Sequence, residues 1–363
     1  MKVLILGIKG IGGVSTHIKY LLQEYQKLNY NYYFFNYYSK RGWSPGKKNP
    51  LVFYENIKKF LKMTVGYFLF LLFNYKKFEI VHTHVAGSLK GFLPGIITIK
   101  FKKIFKYNVV ITIHSSNIEE FILKYPDIMQ YILKNSENII VVSEKQKRAI
   151  TSKFKGYEKK IVPIPNGYDP SSIKKRINTH SNNDRDKYII TNVGWLMEKK
   201  GQIYLLEAIK ILTNKGIYNI QCYIIGKGPL EEELKNVVTN LKINDFVIIT
   251  GFINDEKKNQ ILNKSDLFII PSLDEGNPIV MFEALGFGLP IIATDVGGIP
   301  EIINSEDIGI IVPTRNSSLL AEAIMESIKR KWNRDIIRSF AENYTWEKIA
   351  RKTIDIYIKT KNS

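Results

Sequence analysis

Asp274-Glu275-Gly276-Asn277-Pro278-Ile279-Val280-Met281-Phe282-Glu283-Ala284-Leu285-Gly286 sets two glutamates eight positions apart, the second inside an otherwise apolar run. Asn277 is a good N-cap, Pro278 suits the first helical position, and Gly288 suits a stop. The pattern predicts a short helix from Pro278 to Phe287, apolar nearly all round and therefore buried. A lone buried carboxylate is costly unless hydrogen-bonded or paired. Glu283 therefore needs a partner, either a base inside the protein or a group on a ligand. Glu275 stands in the loop just ahead of the same helix start. Free N–H groups at a helix start favour phosphate, and carboxylates accept hydrogen bonds from sugar hydroxyls. A nucleotide sugar offers both, with a ribose and a hexose flanking a diphosphate.

Working outward, apolar strands alternate with helical patterns. Val3–Leu6 is a continuous apolar run, as a strand covered on both faces should be. It leads through Gly7-Ile8-Lys9-Gly10-Ile11-Gly12-Gly13 into a helical pattern from Ser15. Ile80–Thr83, Val109–Ile113 and Ile139–Val142 read as further strands. The stretch Pro163–Asp186 breaks the rhythm with prolines and then polar residues, so it reads as the domain junction. Strands resume at Tyr188–Val193, Ile220–Ile225, Phe246–Ile249, Leu267–Ile270 and Pro290–Ala293, with helices between them. The expected fold is α/β: two doubly wound, Rossmann-like parallel-sheet domains in series. Residues 1–170 form the first domain, 171–186 a linker and 187–344 the second. A last helix begins near Trp346.

Glycine turns follow strands at Gly10–Gly13, Gly226-Lys227-Gly228-Pro229 and Val296-Gly297-Gly298. Such turns let backbone approach a phosphate, or serve only as tight turns. Ligands in open α/β sheets bind beyond the carboxyl ends of strands, and these loops all fall there. The first loop does not fit the G-x-G-x-x-G dinucleotide fingerprint. A nucleotide-dependent oxidoreductase is thus the weaker alternative.

The chain has 363 residues and a formal net charge of +19. Residues 1–186 hold 31 of its 53 Lys and Arg but only 12 of its 34 Asp and Glu, so the whole excess lies there. That half is expected to meet something anionic, or else carries solvated lysines. Lys100–Lys106 interleaves bases with apolar residues, and Ile57–Phe73 sets Lys58, Lys59 and Lys62 beside an apolar stretch. Such segments can lie on an anionic membrane surface. The longest apolar run, Met63–Phe73, is too short to span a bilayer. The apolar run after Met1-Lys2 is too short for a secretory signal. A single cysteine, Cys222, excludes an intramolecular disulfide and fits a reducing, cytoplasmic location, with association at the inner membrane face expected. No nucleic-acid recognition module is visible, and no nucleic-acid partner is expected. There is no Asp-x-Asp pair in a strand-end loop and no metal-like His/Cys cluster.

Residues 271–302, PSLDEGNPIVMFEALGFGLPIIATDVGGIPEI, resemble the signature of the retaining glycosyltransferases of family 4, which have the two-domain GT-B fold with an interdomain cleft. The E-x7-E pair falls on Glu275 and Glu283. Gly12-Gly13-Val14, Thr112-Ile113-His114-Ser115, Val142-Ser143, Pro165–Asp169, Gly226-x-Gly228-Pro229 and Tyr344-Thr345-Trp346 resemble further family elements, and the resemblance implies that the final helix, about 345–363, crosses back to the first domain. The resemblance implies that Glu283 holds the ribose of a UDP- or GDP-sugar and Glu275 the sugar hydroxyls. Asn277, Pro278 and Ile279 offer backbone at the sugar and phosphate, with Gly226 in the second-domain loop. Gly12 and Gly13 approach the diphosphate from the first domain, and His114 lies against the donor sugar. No metal and no other cofactor is implied.

One position departs from the family. Its phosphate element reads G-R-L-x-x-x-K-G, whereas here Gly194-Trp195-Leu196-Met197-Glu198-Lys199-Lys200-Gly201 has tryptophan at the arginine position. Lys200 matches the lysine and would stabilise the leaving diphosphate. Tryptophan cannot imitate a bidentate guanidinium clamp. The departure leaves open an impaired or purely nucleotide-sugar-binding protein. The resemblance otherwise implies front-face transfer with retention to a saccharide or lipid-linked saccharide. That activity would belong to cell-surface polysaccharide or glycolipid synthesis, with the first domain facing the acceptor.

Overall fold

A computed structural model describes residues 1–10, 12–37, 50–173 and 187–362, and the side chains of residues 50–59 lie outside that description. Ile11, residues 174–186 of the expected linker, and the Lys58 and Lys59 side chains are therefore outside the described residues.

The chain divides into two compact units, Met1–Asn166 with Trp346–Ser363, and Gly167–Thr345. Unit 1 runs β1 (Val3–Gly7), α1 (Gly13–Lys27), β2 (Tyr32–Asn36), α2 (Pro50–Asn74), β3 (Ile80–Val85), α3 (Leu89–Phe105) and β4 (Asn108–Ile113). It continues through α4 (Ile118–Lys124), α5 (Pro126–Asn135), β5 (Asn138–Val141), α6 (Glu144–Lys153) and β6 (Ile161–Pro163). Unit 2 holds β7 (Tyr188–Val193), α7 (Gln202–Asn214), β8 (Ile220–Ile225), α8 (Glu231–Asn240), β9 (Val247–Gly251), α9 (Asp255–Lys264) and β10 (Leu267–Ile270). It ends with α10 (Ile279–Gly286), β11 (Ile291–Thr294), α11 (Ile299–Ile302), β12 (Gly309–Val312), α12 (Ser317–Lys329) and α13 (Arg334–Ala341). The last helix, α14 (Trp346–Lys361), belongs to unit 1.

Among the described residues the strands form two six-stranded sheets, ordered β2-β1-β3-β4-β5-β6 and β12-β11-β10-β7-β8-β9. Every strand pairing is parallel. Each order reverses once, between β1 and β3 in unit 1 and between β7 and β10 in unit 2. Those reversals leave a crevice beyond the carboxyl ends of the flanking strands, where ligands of this architecture bind.

Central strands such as β1 are buried at every position, which is why they read as unbroken apolar runs. Three strands that the apolar pattern does not predict, β2, β6 and β12, all lie at sheet edges. There one face or side is open and the pattern weakens. β6 also carries Pro163, which an edge tolerates because no ladder bond is needed there.

The closing helix is tied to unit 1 by buried polar contacts. Tyr25 donates to the Tyr357 hydroxyl at 2.9 Å, and that hydroxyl lies 2.5 Å from His82 Nδ1. Asn108 and Asn138 reach the Thr360 carbonyl and hydroxyl at 3.1 and 2.8 Å. Trp346, Ile349, Ala350 and Tyr357 are fully buried along the same face. In unit 2 the chain segments that enter and leave pair with each other, since Tyr168 bridges Thr345 and donates its N–H to Tyr344.

Candidate active site

In unit 2 the two loops that flank the switch are fastened together by backbone. Gly201 has φ +64, and a Cβ there would meet the Pro271 carbonyl oxygen at 2.1 Å, so only glycine fits. Leu273 donates its N–H to the Lys199 carbonyl at 2.7 Å. This seating delivers the side chain of Lys200 to Glu275, with Nζ 2.5 Å from Oε1. Ser272 donates to the same oxygen at 2.9 Å. Glu275 is buried, and among the described residues no hydrogen bond reaches its Oε2. The turn after β11 clamps the backbone behind it: Gly297 has φ +57 and Gly298 donates to the Gly276 carbonyl at 2.7 Å.

Glu283 points from α10 to α9, where Lys258 Nζ lies 2.7 Å from its Oε2. Lys258 also reaches Asp255 at 3.4 Å. Burial alone would lower the Lys258 pKa, but the two carboxylates outweigh it and raise it. The buried acid that the sequence singles out thus has a base inside the protein. No hydrogen bond among the described residues reaches Glu283 Oε1, so this acid too keeps one oxygen uncommitted.

The helix that follows Glu275 and carries Glu283 starts one residue later than its sequence suggests. Pro278 is the N-cap, Ile279 the first helical residue, and among the described residues no side chain caps the N-terminus. Asn277 is buried but is not the cap. A proline with ψ near 125° turns the chain into the helix without helical geometry of its own, so the orphan N–H groups lie at Ile279 and beyond.

Gly226 requires glycine for a local reason. It has φ +147, and a Cβ would meet the Gly194 carbonyl at 1.8 Å. Gly228 likewise abuts the Leu196 carbonyl. The second-domain glycine loop therefore braces the Gly194–Leu196 segment. Trp195, in that segment, is 43% exposed. Lys199 is held by Asp274 at 2.7 Å.

In unit 1 the first glycine loop closes on itself: Ser15 accepts from the Gly10 N–H and donates to its carbonyl, at 2.7 and 2.8 Å. Gly12 has φ +127, and among the described residues beyond their chain neighbours none lies within 4 Å of a Cβ at Gly12 or Gly13. Next to this loop the structure corrects the expectation of no histidine cluster. His17 of α1, His84 of β3 and His114 after β4 each offer a ring nitrogen within 4.8 Å of the others. They are far apart in sequence and meet because the β1–β3 switch places α1 beside those strand ends. His84 Nδ1 lies 2.9 Å from His114 Nε2, and His17 Nδ1 lies 2.7 Å from the Asn166 carboxamide oxygen. Burial pushes His17 down to about 4 and His82 down to about 3, and holds His84 and His114 well below the usual histidine value.

The profile of the glycosyltransferase family 4 matches residues 11–172, and that of the group 1 glycosyl transferases matches residues 173–344. Together they run through both units. The chain belongs to the family 4 glycosyltransferases. An uncharacterized glycosyltransferase of Methanocaldococcus jannaschii is 28% identical over 77% of this chain and 75% of its own length. The UDP-Gal:alpha-D-GlcNAc-diphosphoundecaprenol alpha-1,3-galactosyltransferase of Escherichia coli is 27% identical over 71% of this chain and 68% of its own. The fold is GT-B. The sucrose-phosphate synthase of Thermosynechococcus elongatus superposes with a TM-score of 0.76 at 19% identity, covering 99% of this chain and 98% of that one. Anabaena HepE in complex with UDP-glucose gives 0.72 at 16% identity, covering 99% of this chain and 100% of that one.

Within this glycosyltransferase the structure brings Lys200 and Glu275 into contact and sets Glu283 against a different base. Sequence reasoning misses Lys258, His17 and His84. Lys258 carried no signal, being one of many lysines. His84 had one: His82-x-His84 puts two imidazoles on the same face of a strand.

Proposed function

We propose that this glycosyltransferase is a retaining, metal-independent hexosyltransferase. It takes a UDP- or GDP-sugar as donor and a saccharide or lipid-linked saccharide as acceptor, in cell-surface polysaccharide or glycolipid synthesis. The observation that carries the donor assignment is the buried Glu275, fixed by Lys200 and Ser272 at the unit 2 switch with Oε2 uncommitted. A sugar hydroxyl donates to that oxygen. The Lys200 ammonium and the uncapped start of α10, at Pro278 and Ile279, stabilise the departing diphosphate. Glu283 Oε1 takes the ribose, and Asn277 lies beside the helix start. The family resemblance assigns Gly12, Gly13 and His114 to the same donor. Gly226 serves by bracing the Gly194–Leu196 segment. The lipid-linked acceptor rests on the name of the Escherichia coli relative.

An anionic membrane surface is the proposed partner of unit 1. Leu61, Val65, Leu69, Leu72 and Phe73 form an exposed apolar stripe along α2, and Ile104 is exposed on α3. Lys62, Lys76, Lys77, Lys100, Lys103 and Lys106 are exposed around them. Tyr67 and Leu71, on the other side of α2, are fully buried, and Tyr67 and Phe68 pack on Phe101 of α3. The stripe is therefore not needed for the core. Among the described residues no helix is long and apolar enough to cross a membrane.

The test is a thermal-shift screen of nucleotide sugars, followed by transfer assays with the donor that stabilises the protein. Stabilisation by one UDP- or GDP-hexose and transfer to a lipid-linked saccharide are expected. Absence of any stabilising nucleotide sugar overturns the reading.

A further inference from the structure

The unit 1 histidines hold more imidazole than sugar contact by His114 needs. His82 is fully committed: Nδ1 meets the Tyr357 hydroxyl at 2.5 Å and Nε2 meets the Thr112 hydroxyl at 2.6 Å. His17, His84 and His114 are not. We propose that these three histidines form a binding site for one divalent transition-metal ion of the zinc class, outside the transfer chemistry.

The geometry comes first. The three donor nitrogens lie within 4.8 Å of one another. A tetrahedral ion with bonds of about 2.0–2.1 Å holds its nitrogens roughly 3.3 Å apart, so small side-chain rotations close the set. The rings come from a helix, a strand interior and a strand end, so the backbone positions are rigid. Next come the lone pairs. The Asn166 carboxamide oxygen can only accept, so His17 Nδ1 carries the proton and Nε2 presents a lone pair. This is the outer-shell arrangement by which metal-binding histidines are oriented. Only one of His84 Nδ1 and His114 Nε2 can carry the proton between them. The ion replaces that proton, which moves to the far nitrogen of the ring that held it. Both rings then present nitrogen to the ion, and no net proton is lost.

The donor set selects the metal. Three imidazoles and no carboxylate suit zinc, cobalt or nickel and disfavour magnesium and calcium. Three protein ligands leave one tetrahedral position open. The Proposed function places His114 at the donor sugar, so occupation of the site by zinc inhibits transfer; this consequence alone rests on that reading.

The test uses the full chain stripped with chelator and titrated with Co2+, followed by visible absorption, and with Zn2+ by calorimetry. One equivalent is expected at sub-millimolar concentration, with the absorption of four-coordinate cobalt. His17→Gln abolishes it, and Asn166→Ala weakens it on the order of 10–100-fold. Absence of binding by the wild type, or binding unchanged in His17→Gln, overturns the site. Should the histidine variant not fold, X-ray absorption of the zinc-loaded wild type decides: a shell of three imidazole nitrogens supports the site, and any other shell overturns it. Metal bound as described without inhibition of transfer keeps the site and counts against the placement of His114.

Discussion

Lys200 Nζ stands 2.5 Å from Glu275 Oε1, and the two residues come from loops at the ends of the strands on either side of the unit 2 switch. The contact joins the cation proposed for the leaving diphosphate to the acid proposed for the sugar. Lys200→Ala removes transition-state charge stabilisation and is expected to lower kcat on the order of 10²–10³-fold. The donor Kd should change far less. Steady-state kinetics together with equilibrium donor binding separate the two. A variant with unchanged kcat removes Lys200 from the chemistry.

The Glu283–Lys258 pair poses a sharper question, because an internal ion pair alone could account for that acid. Glu283→Gln takes the near carboxylate from the largely buried Lys258, leaves it only the exposed Asp255 at 3.4 Å, and should lower stability by about 1–3 kcal/mol. The double variant with Lys258→Met removes the stranded charge and should recover most of that loss. If Glu283 also holds the ribose, donor binding stays weak in the double variant. Urea melts and donor titrations on the same proteins give the answer. Recovery of donor affinity along with stability would reduce Glu283 to a structural salt bridge.

How much of this was legible in the sequence follows from where each residue sits. The central strands were plain because burial on both faces leaves an unbroken apolar run, as in β1 and β10. Edge strands β2, β6 and β12 lacked that signal. The helix behind Glu275 was legible to within a residue, but Pro278 rather than Asn277 caps it. Glu283 announced that it needed a partner, since a carboxylate among apolar residues is expensive. The partner itself, Lys258, could not be named, because it comes from a different helix 25 positions away. The histidine set was hidden for the same reason: sheet order, not chain order, brings His17 to His84 and His114.

Trp195 occupies the position where the family carries an arginine, and its neighbours hold the backbone there in place. Leu196 donates to the Lys227 carbonyl and accepts from the Leu230 N–H, while Gln202 donates to the Trp195 carbonyl at 3.3 Å. The side chain is 43% exposed, so arginine can replace it without opening a core cavity. Trp195→Arg should add a charge-assisted phosphate contact and tighten donor binding on the order of 10-fold. Calorimetry with the nucleotide diphosphate measures it. Unchanged or weaker affinity would mean that the diphosphate does not lie against this loop.

Tyr357 fastens the closing helix through a buried chain of hydroxyl and imidazole. Removing its hydroxyl strands Tyr25 and His82 Nδ1 in the core. Tyr357→Phe keeps the ring packing and should cost about 1–3 kcal/mol. Denaturant unfolding reads this directly. A loss below a few tenths of a kcal/mol would show that the chain of hydrogen bonds is dispensable and that apolar burial of Trp346 and Ile349 holds α14.

The exposed stripe on α2 makes a prediction separable from catalysis. Leu61, Val65, Leu69 and Leu72 recur at helical spacing, Phe73 is 77% exposed, and lysines flank them. Vesicles containing anionic lipid should pull the protein down at low salt and release it as salt rises, because screening shortens the reach of the lysines. Leu69→Asp and Phe73→Asp each replace apolar contact with like charge against the bilayer. They should lower the bound fraction several-fold while leaving thermal stability within about 0.5 kcal/mol, as surface changes usually do. Transfer to a short water-soluble acceptor should be untouched, whereas transfer to a lipid-linked acceptor in vesicles falls with binding. Equal binding to neutral and anionic vesicles, or binding unaffected by both substitutions, would remove the membrane from the account of unit 1.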